Sequence, residues 1–152
     1  MLPLILFLAT AAFPSTSSTS WMRPESFHLK VGTARADALK ILANEGFKAQ
    51  KGDDDQHMIV DYTPTRSLTL EFHKERLSSI RFELYLPADK IGAAFEEETR
   101  YLQSAFGAPR LKSGKMLIYD GTLPNIIVVL KKQPAQVLST MVVRYFDPAV
   151  SK

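Results

Sequence analysis

Apolar and polar positions along this chain follow two periods, and each change of period marks a change of element. Ala34, Ala38, Ile41 and Leu42 recur at helical spacing, with Thr33 ahead of them as N-cap and Gly46 behind them to take a left-handed helix-closing turn. The spacing predicts a helix of about three turns. The polar run Gly52-Asp53-Asp54-Asp55 breaks it as a loop. Met58, Val60 and Tyr62 then alternate with His57, Ile59 and Asp61, as in a half-buried strand. Past Pro64, Leu68, Leu70 and Phe72 alternate with Ser67, Thr69, Glu71 and His73. Past the polar turn Lys74-Glu75-Arg76, Ile80, Phe82, Leu84 and Leu86 alternate with Ser79, Arg81, Glu83 and Tyr85, which predicts a hairpin.

The same order then returns. Asp89 is the expected N-cap of a longer helix carrying Ile91, Ala94, Phe95, Leu102 and Ala105 along one face, closed by Gly107-Ala108-Pro109. Strands are expected over residues 116–120, 125–131 and 137–146, the last with Met141, Val143 and Tyr145 on one side. Landmarks recur at a nearly constant offset: 61 positions from Gly46 to Gly107, 58 from Phe72 to Leu130 and 63 from Arg81 to Arg144. One helix on three strands is too small a core to stand alone. Two such units side by side give one antiparallel sheet of about six strands with both helices on one face. The expected fold class is α+β, a tandem helix-plus-antiparallel-strands repeat, with residues 21–152 as one domain of two units at about 27–86 and 87–147.

The first twenty residues stand apart. Residues 1–12 are apolar and residues 13–20 rich in Ser and Thr, which reads as a signal peptide followed by a tail. The apolar run is shorter than the roughly 20 residues a bilayer span needs, and Ala9-Thr10-Ala11 fits small-x-small cleavage. No Lys or Arg precedes it, so an uncleaved anchor is the second reading. Elsewhere the composition, 45% apolar with 23% charged, is that of a chain that buries a core. The absence of cysteine excludes a disulfide framework, a thiolate metal site, a thiol nucleophile and a lipid-modified cysteine. For an exported chain this favours a bacterial periplasm or the cell exterior.

Nineteen basic and sixteen acidic side chains, giving +3, are interspersed. The densest basic stretch, Arg110 to Lys115 with Lys131-Lys132 further on, lacks the interleaved aromatics of a single-strand nucleic-acid platform and reads as a solvated loop. Nucleic acid is therefore not an expected partner.

The run Leu29-Lys30-Val31-Gly32-Thr33, the helix ending near Gly46, Tyr62, and the strand pair with Phe72 before Arg76-Leu77 and Ile80 resemble a known pattern. They are similar to the small outer-membrane-assembly lipoprotein family (small protein A) and the related β-lactamase-inhibitor-protein fold. Phe106-Gly107-Ala108-Pro109 matches the Gly-x-Pro that often closes the helix there. The resemblance to the inhibitor fold implies a tandem pair of helix-plus-sheet units whose concave sheet face grips an enzyme. The chain departs from both in having no lipobox cysteine and no cysteine pairs.

Candidate chemistry is sparse. His28, His57 and His73 have no metal-ligand spacing; Asp53-Asp54-Asp55 with His57 is the best metal candidate but lacks the ligand pattern of a calcium loop and reads as a solvated loop. Glu96, Glu97 and Glu98 point about 100° apart on a helix and cannot converge as a carboxylate pair; Glu98, near the apolar stripe, is expected on a helix flank, with pairing to a buried partner as the alternative. Neither a nucleophile elbow nor a phosphate-cradling loop occurs. No catalytic residue, metal or cofactor is expected. What remains is a sheet face on which Glu71, His73, Arg81 and Tyr85, with Thr140, Val142 and Arg144 of the second unit, form a recognition surface for a protein partner. The alternatives are a small-molecule carrier with a cavity between helices and sheet, and a hydrolase with titratable groups clustered in a cleft. As a monomer or homodimer, the chain could pair copies through an edge strand at Ile126-Ile127-Val128-Val129.

Overall fold

In the computed structural model, residues 19–121 and 125–150 are described, with the side chains of Asp61 and Tyr62 excepted. The expected signal segment and most of the Ser/Thr run lie outside the described residues. A 3₁₀ turn, Pro24–Phe27, precedes α1 (Arg35–Asn44), β1 (Ala49–Lys51), β2 (His57–Thr63), β3 (Arg66–His73) and β4 (Arg76–Leu86). Then come α2 (Ala88–Phe106), β5 (Leu111–Lys112), β6 (Met116–Asp120), β7 (Ile127–Gln133) and β8 (Ser139–Phe146). The class is α+β: two helices and one eight-stranded antiparallel sheet in the order β1-β2-β3-β4-β8-β7-β6-β5.

The strand count exceeds the expected six because a two- or three-residue strand follows each helix, too short for alternation to reveal. Those short strands are the edges of the sheet, and each carries a lysine, Lys51 or Lys112, which discourages edge-to-edge pairing. β7 lies between β8 and β6, so the Ile127 to Val129 stretch is interior and not an edge open to a second copy. In the centre β4 pairs with β8, from Ser79↔Phe146 to Leu86↔Ser139.

Helix starts differ from expectation. Ala34, in an extended conformation, occupies the N-cap of α1, while the Thr33 hydroxyl donates to the Lys30 carbonyl at 2.6 Å. Pro87 stands at the N-cap of α2, with Asp89 in the first turn, where its charge suits the positive end of the helix. Gly46 and Gly107, at φ 83° and 82°, follow the two helices in a backbone region that side chains avoid. In the β3–β4 turn Lys74 and Glu75 take φ of 48° and 62° without any glycine. That turn is held by the segment before α1: Arg35 N–H donates to the Glu75 carbonyl and the Arg76 guanidinium to the Gly32 carbonyl.

One face of the sheet forms the core. Leu68, Leu70, Phe82, Leu84, Met141 and Val143 from the strands are buried with Ala38 and Leu42 of α1 and Ile91, Ala94 and Leu102 of α2. Sequence periodicity gave no sign of a further contributor, the strap of residues 19–31, which buries Trp21, Met22, Phe27 and Leu29 in the same cluster. Phe27 and Trp21 meet Phe82 at ring-centroid distances of 5.7 and 5.8 Å, and Phe27 meets Phe47 beyond α1 at 5.2 Å. Burying side chains of this size contributes roughly 1.5–3 kcal/mol each.

The strap also accounts for Glu98, which is not on a flank but 0% exposed, with the Arg23 guanidinium 3.6 Å away. Arg23 in turn lies 3.4 Å from the centroid of the Tyr101 ring. Burial pushes the Glu98 carboxyl up to about 7, against the opposing pull of Thr19 and Arg23.

Candidate functional site

Among the described residues the second face of the sheet carries no helix, and strand alternation decides what it displays. Opposite the buried Ile80, Phe82 and Leu84 stand Ser79, Arg81, Glu83 and Tyr85 of β4. Register brings Glu71 beside Ser79, Thr69 beside Arg81 and Ser67 beside Glu83 from β3, and Arg144 beside Arg81 and Thr140 beside Tyr85 from β8.

Directly opposed arginines repel, and here each is neutralised separately. Arg81 Nε lies 3.2 Å from Glu83 Oε1, while Arg144 Nη2 donates to Glu71 Oε2 at 3.2 Å and Arg144 Nε to Ser79 Oγ at 2.8 Å. The Arg144 guanidinium also lies 4.6 Å from the Phe146 ring centroid. Glu83 accepts from the Tyr85 hydroxyl and, at 3.4 Å, from Ser67. Partial burial and then the Glu83 carboxylate push the Tyr85 phenol above its ordinary range, so it stays a donor at neutral pH.

At the β2 side His57 Nε2 lies 4.0 Å from Glu71 Oε2, and His57 Nδ1 lies 2.7 Å from Asp54 Oδ1. The His57 side chain, and next the Gln56 backbone N–H, hold the Asp54 carboxyl below its usual value. A polar chain thus runs Asp54, His57, Glu71, Arg144, Ser79 across the sheet.

Two adjoining hollows follow this network. One, of about 670 Å³, is lined by Ile59, Pro64, Arg66, Glu83 and Tyr85 among others; its neighbour, of about 220 Å³, is lined by Asp54, His57, Glu71, Ser79 and Arg144. Thr69 and Arg81 belong to both. Beyond Arg144 the same face carries half-buried Val142 of β8, Val129 and Ile127 of β7 and Ile118 of β6, with the exposed Lys131 opposite Val142.

Of the residues singled out from sequence, Glu71, Arg81, Tyr85 and Arg144 line these hollows, and Thr140 is the register partner of Tyr85. His73 stands apart: it lies past a bulge in the β3–β4 pairing, opposite Arg76, with its Nε2 buried and without a hydrogen-bond partner among the described residues. Alternation places Ser79 and Glu83 on this face, and the sequence groups His57 with the acidic loop of Asp54 as a metal candidate, but none of the four is named there as a recognition residue. Alternation already placed His57 out of phase with Met58 and Val60, so its face was legible, but its partner Asp54 comes from a loop without periodicity.

Among the described residues no group of three or more His, Cys, Asp or Glu side chains is arranged to hold a metal ion, and no helix is long and apolar enough to cross a membrane. Compared with known proteins, the chain matches no family model, no curated protein and no solved structure.

Proposed function

We propose that the helix-free face of the sheet is a protein-recognition surface and that the chain is a non-enzymatic binding module of the cell envelope or the extracellular space. The observation that carries this reading is the fixed group Arg81, Glu83, Tyr85 and Arg144, each side chain held in place by a neighbour on the same face. Tyr and Arg dominate binding hot spots, and side chains already ordered lose less entropy when a partner arrives. The resemblance to the β-lactamase-inhibitor-protein fold, with its concave gripping face, leads to the same surface. We further propose that the two halves are copies of one unit. Each is a helix closed by a positive-φ glycine and followed by four strands, and the landmark residues Arg81 and Arg144 pair across the centre.

A carrier would need space between helices and sheet, where Trp21, Met22 and Phe27 are packed. The test is affinity capture of the protein's partner from envelope and secreted fractions, beside a Tyr85→Ala/Arg144→Ala control. A partner that the native chain retains and the control loses by at least about 2 kcal/mol, roughly thirtyfold in Kd, supports the reading. Equal retention by both sinks it.

A further inference from the structure

Arg100 differs from every other arginine among the described residues. Arg23, Arg35, Arg81, Arg110 and Arg144 face carboxylates, Arg66 lies over the Trp21 ring and Arg76 donates to a carbonyl, whereas Arg100 has no such partner. It projects from α2 into a groove of about 450 Å³ between that helix and the β5–β6 turn. Lys112 of β5 and Lys132 of β7 line the same groove, and among the described residues no carboxylate lies within 4.0 Å of any of the three cations. Glu96 is the one acid in the lining.

One lysine from each basic stretch that read as a solvated loop in the sequence, Lys112 and Lys132, is thus brought against one helix. Their frame is fixed: Lys132 N–H donates to the Lys115 carbonyl at 2.8 Å, and Ser113 N–H to the Met116 carbonyl at 2.9 Å. The groove has an apolar side as well. Lys132 Nζ lies 4.8 Å from the centroid of the half-buried Phe95 ring, and Leu117 adjoins it. At Gly92 an added Cβ would meet nothing within 4 Å, so the floor is open there.

We propose that this groove binds a phosphate monoester carried on an apolar or aromatic group. Three cations against one carboxylate leave a positive excess that matches a dianion. A planar guanidinium fork and two ammonium groups lining one groove suit phosphate oxygens better than a single carboxylate. The Phe95 side of the groove takes the body of the ester, and the volume lies in the range of small-ligand sites. The ester is either a soluble molecule or the headgroup of a phosphorylated lipid.

The experiment titrates the full chain with phenyl phosphate, inorganic phosphate and phenol by NMR or calorimetry. In parallel it measures co-sedimentation with phosphatidylcholine vesicles with and without phosphatidic acid. Phenyl phosphate should bind more tightly than inorganic phosphate, lose about tenfold in Arg100→Ala and be blocked in Gly92→Phe, while the distant Lys40→Ala binds as the native chain does. Circular dichroism checks that each variant folds. Binding of free phenyl phosphate assigns a soluble ester; Arg100-dependent binding to phosphatidic acid vesicles alone assigns a lipid headgroup. The proposal is overturned if neither probe shows Arg100-dependent binding up to about 10 mM, or if inorganic phosphate binds as well as its ester. Neither result bears on the sheet face, whose test uses other residues.

Discussion

The Glu98–Arg23 pair lies at 3.6 Å beneath the N-terminal strap with its carboxylate wholly out of water, whereas the Glu71–Arg144 pair stands at 3.2 Å on the open sheet with each side chain about one-third exposed. The charges are the same and the surroundings are not. On the open face water screens the pair, so it contributes little to stability and instead orients the Arg144 guanidinium toward whatever docks there. Beneath the strap the carboxyl has lost its hydration, neither of its oxygens finds a hydrogen bond among the described residues, and Arg23 offsets only part of the loss. Buried pairs of this kind fix which segment lies where; exposed ones remain available for recognition.

The largest expected effect comes from removing Arg23. At about pH 8, where Glu98 is ionised, Arg23→Ala leaves a buried charge unopposed and removes the stacking on Tyr101, and it should cost roughly 3–5 kcal/mol in urea unfolding. A loss below about 1 kcal/mol would mean that Glu98 is hydrated or takes up a proton once Arg23 is gone. Replacing both partners by apolar residues, Arg23→Met with Glu98→Leu, should recover most of that stability, because the desolvation cost disappears with the charges.

Next comes pH. The Glu98 carboxyl rises from 4.5 to about 7 on folding, so the folded chain binds an extra proton between those values. The stability tied to that proton is complete below about pH 4.5, falls as pH rises and is gone above about 7, amounting to about 3 kcal/mol at 1.36 kcal/mol per unit. Glu98→Gln should lack this component, so its stability relative to the native chain should climb across the same window. Parallel pH curves for the two proteins would refute the assignment.

The smallest effect is expected on the open face. Glu71→Gln should change stability by less than about 1 kcal/mol, since its pair with Arg144 is solvated. Its consequence belongs in partner capture, where a freed Arg144 should weaken binding. A large stability loss instead would make that network structural and erase the contrast between the two pairs.

Alternation and helical spacing by themselves determined the α+β class, both helices, the β3–β4 hairpin and which side of β2, β3, β4 and β8 faces water. Glu71, Arg81, Tyr85 and Arg144 were therefore legible as members of one face before any fold was known, because a strand's period of two leaves no other choice. The edge strands β1 and β5 were not legible, since two or three residues carry no period. Nor was the burial of Trp21, Met22 and Phe27, which sit in an irregular segment and acquire their place from Phe82 and Tyr145, far along the chain. Tertiary structure alone decided that Glu98 meets Arg23, that the Asp54–His57 pair stands beside Glu71, and that Arg100, Lys112 and Lys132 share one groove. Local periodicity reports which way a side chain points. Which distant residue it meets depends on how the elements pack, and burial then sets what their charges do.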